Sequence, residues 1–182
     1  MKLALIIDDY LPNSTRVGAK MFHELAQEFI RRGHDVTVIT PDTRLLEDVS
    51  FDTFQGVKTW RFKSGPLKDV SKIQRAINET FLSFRAWNSI KGQIKKETFD
   101  GVVYYSPSIF WGHLVKKIKF RCQCPAYLIL RDMFPQWVID AGMLKAGSLI
   151  ERYFRLFERV SYRQANRIGL MSDKNLDVFR MT

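Results

Sequence analysis

Three short polar segments, each directly after an apolar run, hold the residue types that could do chemistry. Residues 8–20 combine carboxylate, amide, hydroxyl and guanidinium groups with a glycine, residues 106–108 supply two hydroxyls, and residues 131–137 begin with an arginine and a carboxylate. Such groups bind phosphate or sugar hydroxyls, and a carboxylate can take a proton from a hydroxyl. Because ligands of open parallel sheets bind beyond the carboxyl ends of the strands, we expect the three segments to meet at one edge.

The first segment, DDYLPNSTRVGAK, runs into the start of a helix. Gly18 lets a ligand approach the backbone, and the free N–H groups at a helix start favour an anion such as phosphate. The alternative is that Pro12 and Gly18 serve only the turn. A single glycine does not make the dinucleotide fingerprint G-x-G-x-x-G, so binding of NAD or FAD is disfavoured.

The third segment places Arg131 and Asp132 directly after a predicted strand. Asp132 is a candidate catalytic base for a sugar hydroxyl, and Arg131 either keeps this carboxylate ionised or binds phosphate. The alternative is a contact of Asp132 with Arg131 or with the backbone that only orders the loop. Ser106, in the second segment, is a candidate ligand-binding residue, although a hydroxyl at this point is also typical of a helix cap.

Other common site chemistries find no support in the chain. His23, His34 and His113 share no metal-ligand spacing and are expected at the surface or the core edge. The Cys-Gln-Cys run at 122–124 offers two ligands, too few for a tetrahedral zinc site, so no metal site is predicted. The motifs of serine hydrolases, zinc metalloproteases and P-loop NTPases are also missing from the sequence.

The net charge of +10 is concentrated in the middle of the 182 residues, because residues 61–121 hold 13 Lys and Arg against 4 Asp and Glu. Such a segment attracts nucleic acid, anionic lipid headgroups or a pyrophosphate-bearing substrate, and charge alone does not choose among them. The chain begins with too few apolar residues for a signal peptide, and no apolar run approaches the roughly 20 residues of a membrane span. A cytoplasmic location is therefore expected.

The elements that must position the polar segments alternate between strand and helix. Residues 3–7 and 36–40 suit buried strands, and residues 19–30 carry apolar side chains at helical spacing, so they predict a right-handed βαβ unit. The alternation continues with a half-exposed or edge strand at 57–62, strands at 101–105, 126–130 and 167–171, and helices at about 71–96, 108–120 and 149–160. The sequence thus predicts an α/β fold, Rossmann-like and doubly wound with a mainly parallel sheet, as one domain over residues 1–182. Residues 173–179 have the pattern of another helix start, which favours a chain that continues.

The predicted helix at 71–96 is amphipathic and basic. Its apolar side includes Ile77, Phe81 and Phe84, with basic residues opposite. This pattern fits a helix that only covers a sheet face, and it also fits one that lies among anionic lipid headgroups. We predict membrane contact at Phe81, Leu82, Arg85 and Trp87, supported by nearby basic residues: Lys63, Lys68, Lys72, Lys116, Lys117, Lys119 and Arg121.

Three stretches carry a resemblance to a known family: Tyr10-Leu11-Pro12 through Gly18, the run RGHDVTVIT at 32–40, and RDMFP at 131–135 followed by Gly142. They resemble the N-terminal domain of family-four retaining GT-B glycosyltransferases over essentially the whole chain. The resemblance implies that Tyr10, Asn13, Arg16 and Gly18 approach the donor phosphates and the acceptor. It also implies that Asp132 is the family's polar residue after the fifth strand. The donor-binding C-terminal domain, with its Glu-x7-Glu motif, is not among residues 1–182, so the chain alone is not expected to catalyse sugar transfer.

A finer resemblance is to bacterial O-antigen fucosaminyltransferases. It implies a hexosyltransferase-type enzyme that transfers N-acetyl-L-fucosamine from its UDP-sugar to an undecaprenyl-pyrophosphate-linked sugar. This enzyme would sit peripherally at the cytoplasmic, inner face of the cell membrane, and the present domain would need no cofactor besides the UDP-sugar donor. Two alternatives stay open: a nucleic-acid-binding module built on residues 61–121, although no nucleic-acid motif is present and nucleic acid is not the expected partner, and a noncatalytic membrane-surface module.

Overall fold

The computed structural model describes residues 1–67, 70–106, 108–172, 175, 176 and 179, without the side chains of residues 72 and 73. It begins with strand β1 (Lys2–Ile6), helix α1 (Val17–Arg31) and strand β2 (Asp35–Asp42). Strands β1 and β2 are parallel, with Lys2 opposite Asp35 and Ile6 opposite Ile39. The predicted βαβ unit is therefore confirmed. The turn between helix and strand uses Gly33 at a φ of 83°, a conformation that favours glycine.

Seven strands form one sheet in the order β3-β4-β2-β1-β5-β6-β7. The further strands are β3 (Val49–Phe54), β4 (Val57–Lys63), β5 (Gly101–Ser106), β6 (Ala126–Leu130) and β7 (Arg167–Leu170). Every neighbouring pair is parallel except β3 and β4. The chain builds outward from β1 first through β2 and then through β5, so the strand order reverses between β1 and β5. This confirms the Rossmann-like, doubly wound α/β fold and locates its switch point.

The sequence did not predict strand β3. As a result, β4 was expected as a half-exposed or edge strand, whereas β3 occupies the edge beside it. The two strands form a hairpin whose two-residue loop is Gln55 and Gly56, at φ values of 47° and 84°. Such a loop usually carries Asn-Gly or Asp-Gly, so Gln-Gly gives a weaker signal. The half-exposed or edge strand expected at 57–62 is wrong in both respects, because Thr59, Arg61 and Phe62 are all buried and β4 lies between β2 and β3.

The single helix predicted at 71–96 is two helices, α2 (Lys72–Thr80) and α3 (Leu82–Ile90), which meet at Phe81. Ser71 caps α2 by accepting a hydrogen bond from the backbone N–H of Gln74 at 3.2 Å. In α3, the buried side chains include Leu82, Ala86 and Ile90, which lie four residues apart on one face. Leu82 is fully buried in the core, so its predicted contact with a membrane is wrong.

Helices cover both faces of the sheet. The odd residues of β1, such as Leu3 and Leu5, pack with Phe22 and Ala26 of α1, whereas Ala4 and Ile6 face the opposite layer. That layer includes α3 and α4 (Gly112–Cys122), and α6 (Leu149–Tyr162) packs on α4. The alternation along β1 matches a strand buried on both sides.

The helix predicted at 108–120 is confirmed as α4, preceded by a short 3-10 turn at Ile109–Trp111, and the helix predicted at 149–160 is confirmed as α6. A short helix, α5 (Gln136–Asp140), lies in the stretch expected to be irregular. The predicted helix start at 173–179 falls largely outside the described residues, as do Lys68, Pro107 and the side chain of Lys72.

In the part of the chain that the structure describes, no helix has both the length and the apolar character needed to cross a membrane.

Candidate functional site

Tyr105, at the carboxyl end of β5, connects two of the predicted polar segments. Its ring is buried and packs on Phe22 of α1 at a centroid distance of 4.8 Å. The ring also lies so close to Gly18 that a Cβ at residue 18 would be 3.2 Å from Tyr105 Cε1. From the other side, Nη1 of Arg131 donates a hydrogen bond to the Tyr105 hydroxyl at 3.0 Å. Gly18, Tyr105 and Arg131 therefore form one contact chain across the switch point between β1 and β5.

Ser106 connects the second polar segment to the third. Its buried hydroxyl donates to the backbone carbonyl of Asp132 at 3.0 Å. The expected cap for the following helix is wrong, because Ser108 stands at the cap position and its side chain makes no cap hydrogen bond. Ser106 instead holds the backbone of the loop that carries Asp132.

The carboxylate of Asp132 is exposed at the same edge. The anticipated side-chain contact between Arg131 and Asp132 is not formed, since the guanidinium of Arg131 is bonded to Tyr105. That hydrogen bond raises the pKa of Arg131, and the charge of the neighbouring Asp132 acts in the same direction. The catalytic role of Asp132 stays a prediction, for which the structure provides a fixed backbone and an accessible carboxylate.

The loop before α1 is ordered by its own polar groups. Ser14 donates to Oδ2 of Asp9 at 2.5 Å and accepts the backbone N–H of Arg16 at 3.1 Å. Arg16, whose side chain is half exposed, lies with Nε 3.6 Å from Asp9 and occupies the N-cap position of α1. Among the residues that the structure describes, no side chain caps this helix, and its first turn holds no acidic residue, so the helix start suits an anionic ligand.

Tyr10 lies deeper than its predicted role in binding suggests. Its side chain is buried and its hydroxyl lies 2.7 Å from Nδ1 of His23, while Nε2 of His23 lies 2.9 Å from Oε1 of Gln55. Because an amide oxygen only accepts, Nε2 carries the hydrogen and Nδ1 accepts from Tyr10. Burial raises the pKa of Tyr10. His23 is therefore a core residue rather than a surface one, and it ties the first loop to the β3–β4 hairpin.

A polar cleft of about 300 Å³ opens on the other side of β1, at the carboxyl ends of β2 and β4. We call it the β2–β4 cleft. Asn13 donates to Oδ2 of Asp42 at 3.1 Å, and the backbone N–H of Arg44 donates to Oδ1 of the same carboxylate at 2.9 Å. Arg61, buried in β4, donates to the carbonyl of Leu11 and lies 4.0 Å from Asp42.

Sequence reasoning missed three residues of this edge: Tyr105, Arg61 and Ser64. A signal existed for Arg61, since it is a charged residue within an otherwise apolar part of a strand, between Trp60 and Phe62. Tyr105 gave a weaker signal as the last apolar residue before Ser106. Ser64 gave no signal, because only the fold brings it to the cleft.

The predicted membrane residues separate into buried and exposed ones. Phe81 is 50% exposed, whereas Leu82 belongs to the core. Trp87 is half buried beneath the guanidinium of Arg121, 5.0 Å from the ring centre. Arg85 is also half buried, with Nη1 3.4 Å from Oδ1 of Asn78. Only Phe81 of the four is therefore freely available at the surface.

The described residues contain no group of three or more His, Cys, Asp or Glu side chains that could hold a metal ion.

Polar loops gather at the switch point of a seven-stranded, mostly parallel sheet, and this Rossmann-like fold matches that of GT-B glycosyltransferases. Sucrose-phosphate synthase from Thermosynechococcus elongatus aligns with 99% of this chain at a TM-score of 0.69 and 12% identity. A UGT transferase from Siraitia grosvenorii in complex with UDP aligns with 97% of the chain at a TM-score of 0.52 and 9% identity. The catalytic domain of starch synthase IV from Arabidopsis thaliana, bound to ADP and acarbose, aligns with 71% at a TM-score of 0.54 and 14% identity.

The chain spans 44%, 46% and 34% of these three solved chains, respectively. At such low identities the likeness establishes the fold alone. The chain belongs to Glycosyltransferase Family 4, whose family model matches residues 18–179. Membership confirms the glycosyltransferase class that the sequence predicted. No curated protein matches the chain significantly.

Proposed function

We propose that the chain is the acceptor-side half of a retaining, UDP-sugar-dependent glycosyltransferase with two domains. The observation that carries the proposal is the contact chain from Gly18 through Tyr105 to Arg131, in a member of Glycosyltransferase Family 4. This contact chain holds the start of α1 and a guanidinium at the switch point, where doubly wound folds bind their ligands. The structural neighbours bound to UDP and ADP support a nucleotide-sugar donor.

The roles of the edge residues follow from their charges. The uncapped start of α1 and the guanidinium of Arg131 attract the diphosphate of the donor, which gains negative charge as the sugar leaves. Arg16 adds to this attraction, although Asp9 at 3.6 Å offsets part of its charge. Asp132 accepts the proton of the attacking acceptor hydroxyl, because its carboxylate is exposed and its backbone is held by Ser106. Gly18 leaves room for the ring of Tyr105 beside the start of α1.

For the sugar and the acceptor, the support is the sequence resemblance to O-antigen fucosaminyltransferases. We propose N-acetyl-L-fucosamine as the transferred sugar and an undecaprenyl-pyrophosphate-linked sugar as the acceptor. A lipid-linked acceptor requires the enzyme to work at a membrane surface, which the cytoplasmic, inner-face location would provide.

One surface of the domain suits such a location. Ile77, Phe81 and Phe84 are each half exposed on α2 and α3, and Leu156 of α6 is 58% exposed. Phe84 and Leu156 line one groove together with His113 of α4, so the apolar surface continues from α3 to α6. We call the residues 77, 81, 84 and 156 the apolar face.

Basic residues border the apolar face. Lys116 and Lys117 follow His113 by one turn of α4, which brings them next to the groove. Partial burial and the charges of these lysines lower the pKa of His113. An apolar centre with cations beside it is the pattern of a peripheral membrane surface. Other predicted basic residues have partners within the protein, because Lys63 and Lys119 donate to backbone carbonyls. This favours a localised lipid contact over an extended nucleic-acid surface.

The test is a transfer assay with UDP-N-acetyl-L-fucosamine and an undecaprenyl-pyrophosphate-linked N-acetylhexosamine. We expect turnover by the full-length protein that contains residues 1–182, and none by residues 1–182 alone. Turnover by the 182 residues alone would contradict the two-domain proposal. Absence of transfer by the full-length protein with a panel of UDP-sugars and lipid-linked acceptors would contradict the enzymatic proposal.

A further inference from the structure

The β3–β4 hairpin holds the loop after β1 at two successive residues. Arg61 of β4 donates directly to the backbone carbonyl of Leu11. Gln55, in the hairpin loop, reaches Tyr10 through His23 of α1. Oε1 of Gln55 lies 2.9 Å from Nε2 of His23, and Nδ1 of the same ring lies 2.7 Å from the Tyr10 hydroxyl. The hairpin therefore fixes the segment that leads into the start of α1.

The buried end of this connection sets the direction of its hydrogen bonds. The Tyr10 side chain is 1% exposed, and among the described residues His23 is the one hydrogen-bond partner of its hydroxyl. Because a buried hydroxyl hydrogen needs an acceptor, Nδ1 of His23 is unprotonated and Nε2 carries the ring hydrogen. Nε2 in turn donates to Oε1 of Gln55. We call Gln55, His23 and Tyr10 the histidine relay.

The residue type at position 55 fits the relay better than it fits the turn. Gln55 has a φ of 47°, in the left-handed region that favours Gly, Asn and Asp. An asparagine would suit the loop, but its side chain is one methylene shorter than the one that reaches His23. A residue that disfavours its own turn and makes a hydrogen bond to a distant helix indicates a role for that hydrogen bond.

We propose that Gln55 and His23 are positioning residues for the donor site at the start of α1. Through Tyr10 they fix the backbone before this helix start, toward which the donor diphosphate is attracted. The inference rests on the proposed transferase function, and it adds the β3–β4 hairpin to the parts of the domain on which donor binding depends. Neither side chain touches the donor in this role.

The surroundings of the relay offer a matched control. His23 and Gln55 line an open hollow whose charged residues are Arg16, Lys20 and Glu24. Gln27 lines the same hollow, four residues after His23, and is exposed like Gln55 but lies outside the relay. The same change of charge can therefore be made with and without a change in the relay.

The test compares Gln55→Glu, Gln55→Lys and the control Gln27→Lys in the full-length protein. The carboxylate introduced by Gln55→Glu still accepts from Nε2 of His23, so the relay keeps its direction. The ammonium introduced by Gln55→Lys only donates, so it favours the tautomer with the ring hydrogen on Nδ1. That tautomer leaves the buried Tyr10 hydrogen without an acceptor.

The expected result is a selective loss of donor affinity. Gln55→Lys should raise KM for the UDP-sugar about three- to tenfold, the effect of one neutral hydrogen bond, with kcat less affected. Gln55→Glu and Gln27→Lys should stay close to the wild-type KM. Charge alone predicts the reverse order, because an added cation attracts a diphosphate and an added carboxylate repels it. The thermal unfolding midpoint should be alike in all four proteins, since residues 27 and 55 are exposed.

Two NMR measurements need no sugar transfer. The ¹⁵N shifts of the His23 ring should report the hydrogen on Nε2 in the wild type and in Gln55→Glu, and a larger fraction on Nδ1 in Gln55→Lys. The amide signals of residues 10–18 should shift in Gln55→Lys and stay close to the wild type in Gln27→Lys.

The proposal is overturned if Gln55→Lys leaves the amide signals of residues 10–18 unchanged, or if it shifts them while KM keeps its wild-type value. An equal rise of KM in Gln55→Glu and Gln55→Lys would also overturn it, because the direction of the hydrogen bond would then not matter. Absence of transfer by the wild-type full-length protein would instead remove the proposed function. The amide signals would still decide whether Gln55 positions the loop.

Discussion

The hydroxyl of Tyr105 accepts a hydrogen bond from Arg131, and the ring that carries this hydroxyl lies against Gly18. The tyrosine is thus the physical link between the helix start after β1 and the loop after β6. If the edge binds a donor diphosphate, the position of Arg131 depends on Tyr105. This dependence can be separated from a purely structural role, because the hydroxyl can be removed while the ring is kept.

Tyr105→Phe should release Arg131 while the packing against Phe22 and Gly18 is preserved. We expect a loss of about 1 kcal/mol or less in the free energy of unfolding, because one hydrogen bond to a largely exposed guanidinium is lost. In the full-length protein, the KM for the UDP-sugar should rise roughly tenfold with kcat less affected. Urea unfolding and steady-state kinetics measure the two effects. A fall in kcat with an unchanged KM would show that Tyr105 does not act through donor binding.

Gly18→Ala tests the close approach from the other side. Alanine favours a helix over glycine by about 1 kcal/mol, but its Cβ would lie 3.2 Å from Tyr105, so the ring must move by a few tenths of an ångström. We expect a change in unfolding free energy within about 1 kcal/mol and a loss of donor binding. Isothermal titration with UDP on the full-length protein measures the affinity. UDP binding that is unchanged by Gly18→Ala would support the simple turn role of Gly18.

How far the sequence predicts this edge depends on the range of the interactions. Ser106 and Arg131 were identified because they stand at the end of a strand or directly after one, and Gly18 because it lies at the helix start that follows β1; strand order brings these points together. Tyr105 was missed since its partners come from two other segments, a relation that periodicity within one segment does not reveal. The same limit applies to Ser64.

Leu82 shows a different limit. The prediction of an amphipathic pattern over residues 71–96 assumed one continuous helix. The structure instead has a break at Phe81, which no proline or glycine marks in the sequence, and this break gives α3 its own buried face. The packing of Leu82, Ala86 and Ile90 in the core therefore could not be read from the longer pattern.

This correction leads to opposite expectations for neighbouring residues. Leu82→Ala should lower the free energy of unfolding by about 2–5 kcal/mol, because it leaves a cavity in the core. The double substitution of Phe81 and Phe84 by Gln should leave stability nearly unchanged, since both rings are half exposed. It should, however, weaken binding to vesicles of phosphatidylglycerol and phosphatidylethanolamine about tenfold, because two partly inserted rings are lost.

Leu46 provides the control for this experiment, because it is 93% exposed and lies outside the apolar face. Leu46→Gln should bind vesicles like the wild type in a sedimentation assay. If the double variant co-sediments with vesicles as strongly as the wild type, the apolar face is not a membrane contact.

Asp8, directly after β1, makes stability depend on pH. Burial raises the pKa of its carboxyl, although a backbone hydrogen bond and the charge of Arg16 act in the opposite direction. A carboxyl whose pKa is higher in the folded than in the unfolded state favours folding while it is protonated, and this contribution is lost as the pH rises above its unfolded value near 3.8. Asp8→Asn should therefore match the wild type at low pH and be more stable at neutral pH.

The measurement for Asp8→Asn is the thermal unfolding midpoint of both proteins between pH 3 and pH 7. The difference in midpoint should grow with pH. Asp48→Asn, at an exposed position, is the control and should show no such trend. A difference that stays constant over this range would mean that the carboxyl of Asp8 is not the titrating group.

Asp132→Asn addresses the chemistry itself. The carboxylate is exposed and its backbone carbonyl, which accepts from Ser106, is unchanged by the substitution, so the unfolding free energy should stay within about 0.5 kcal/mol. If the carboxylate takes the acceptor proton, kcat of the full-length protein should fall roughly 10²- to 10⁴-fold, because an amide cannot act as a base.

Ser106→Ala is the informative comparison, since it frees the loop and should reduce kcat less while it lowers stability by about 1 kcal/mol. If Asp132→Asn retains more than about a tenth of the wild-type kcat, the loss is smaller than the removal of a general base causes, and Asp132 is not the base. The proton would then have to pass to the departing diphosphate, which the guanidinium of Arg131 would hold beside the acceptor hydroxyl.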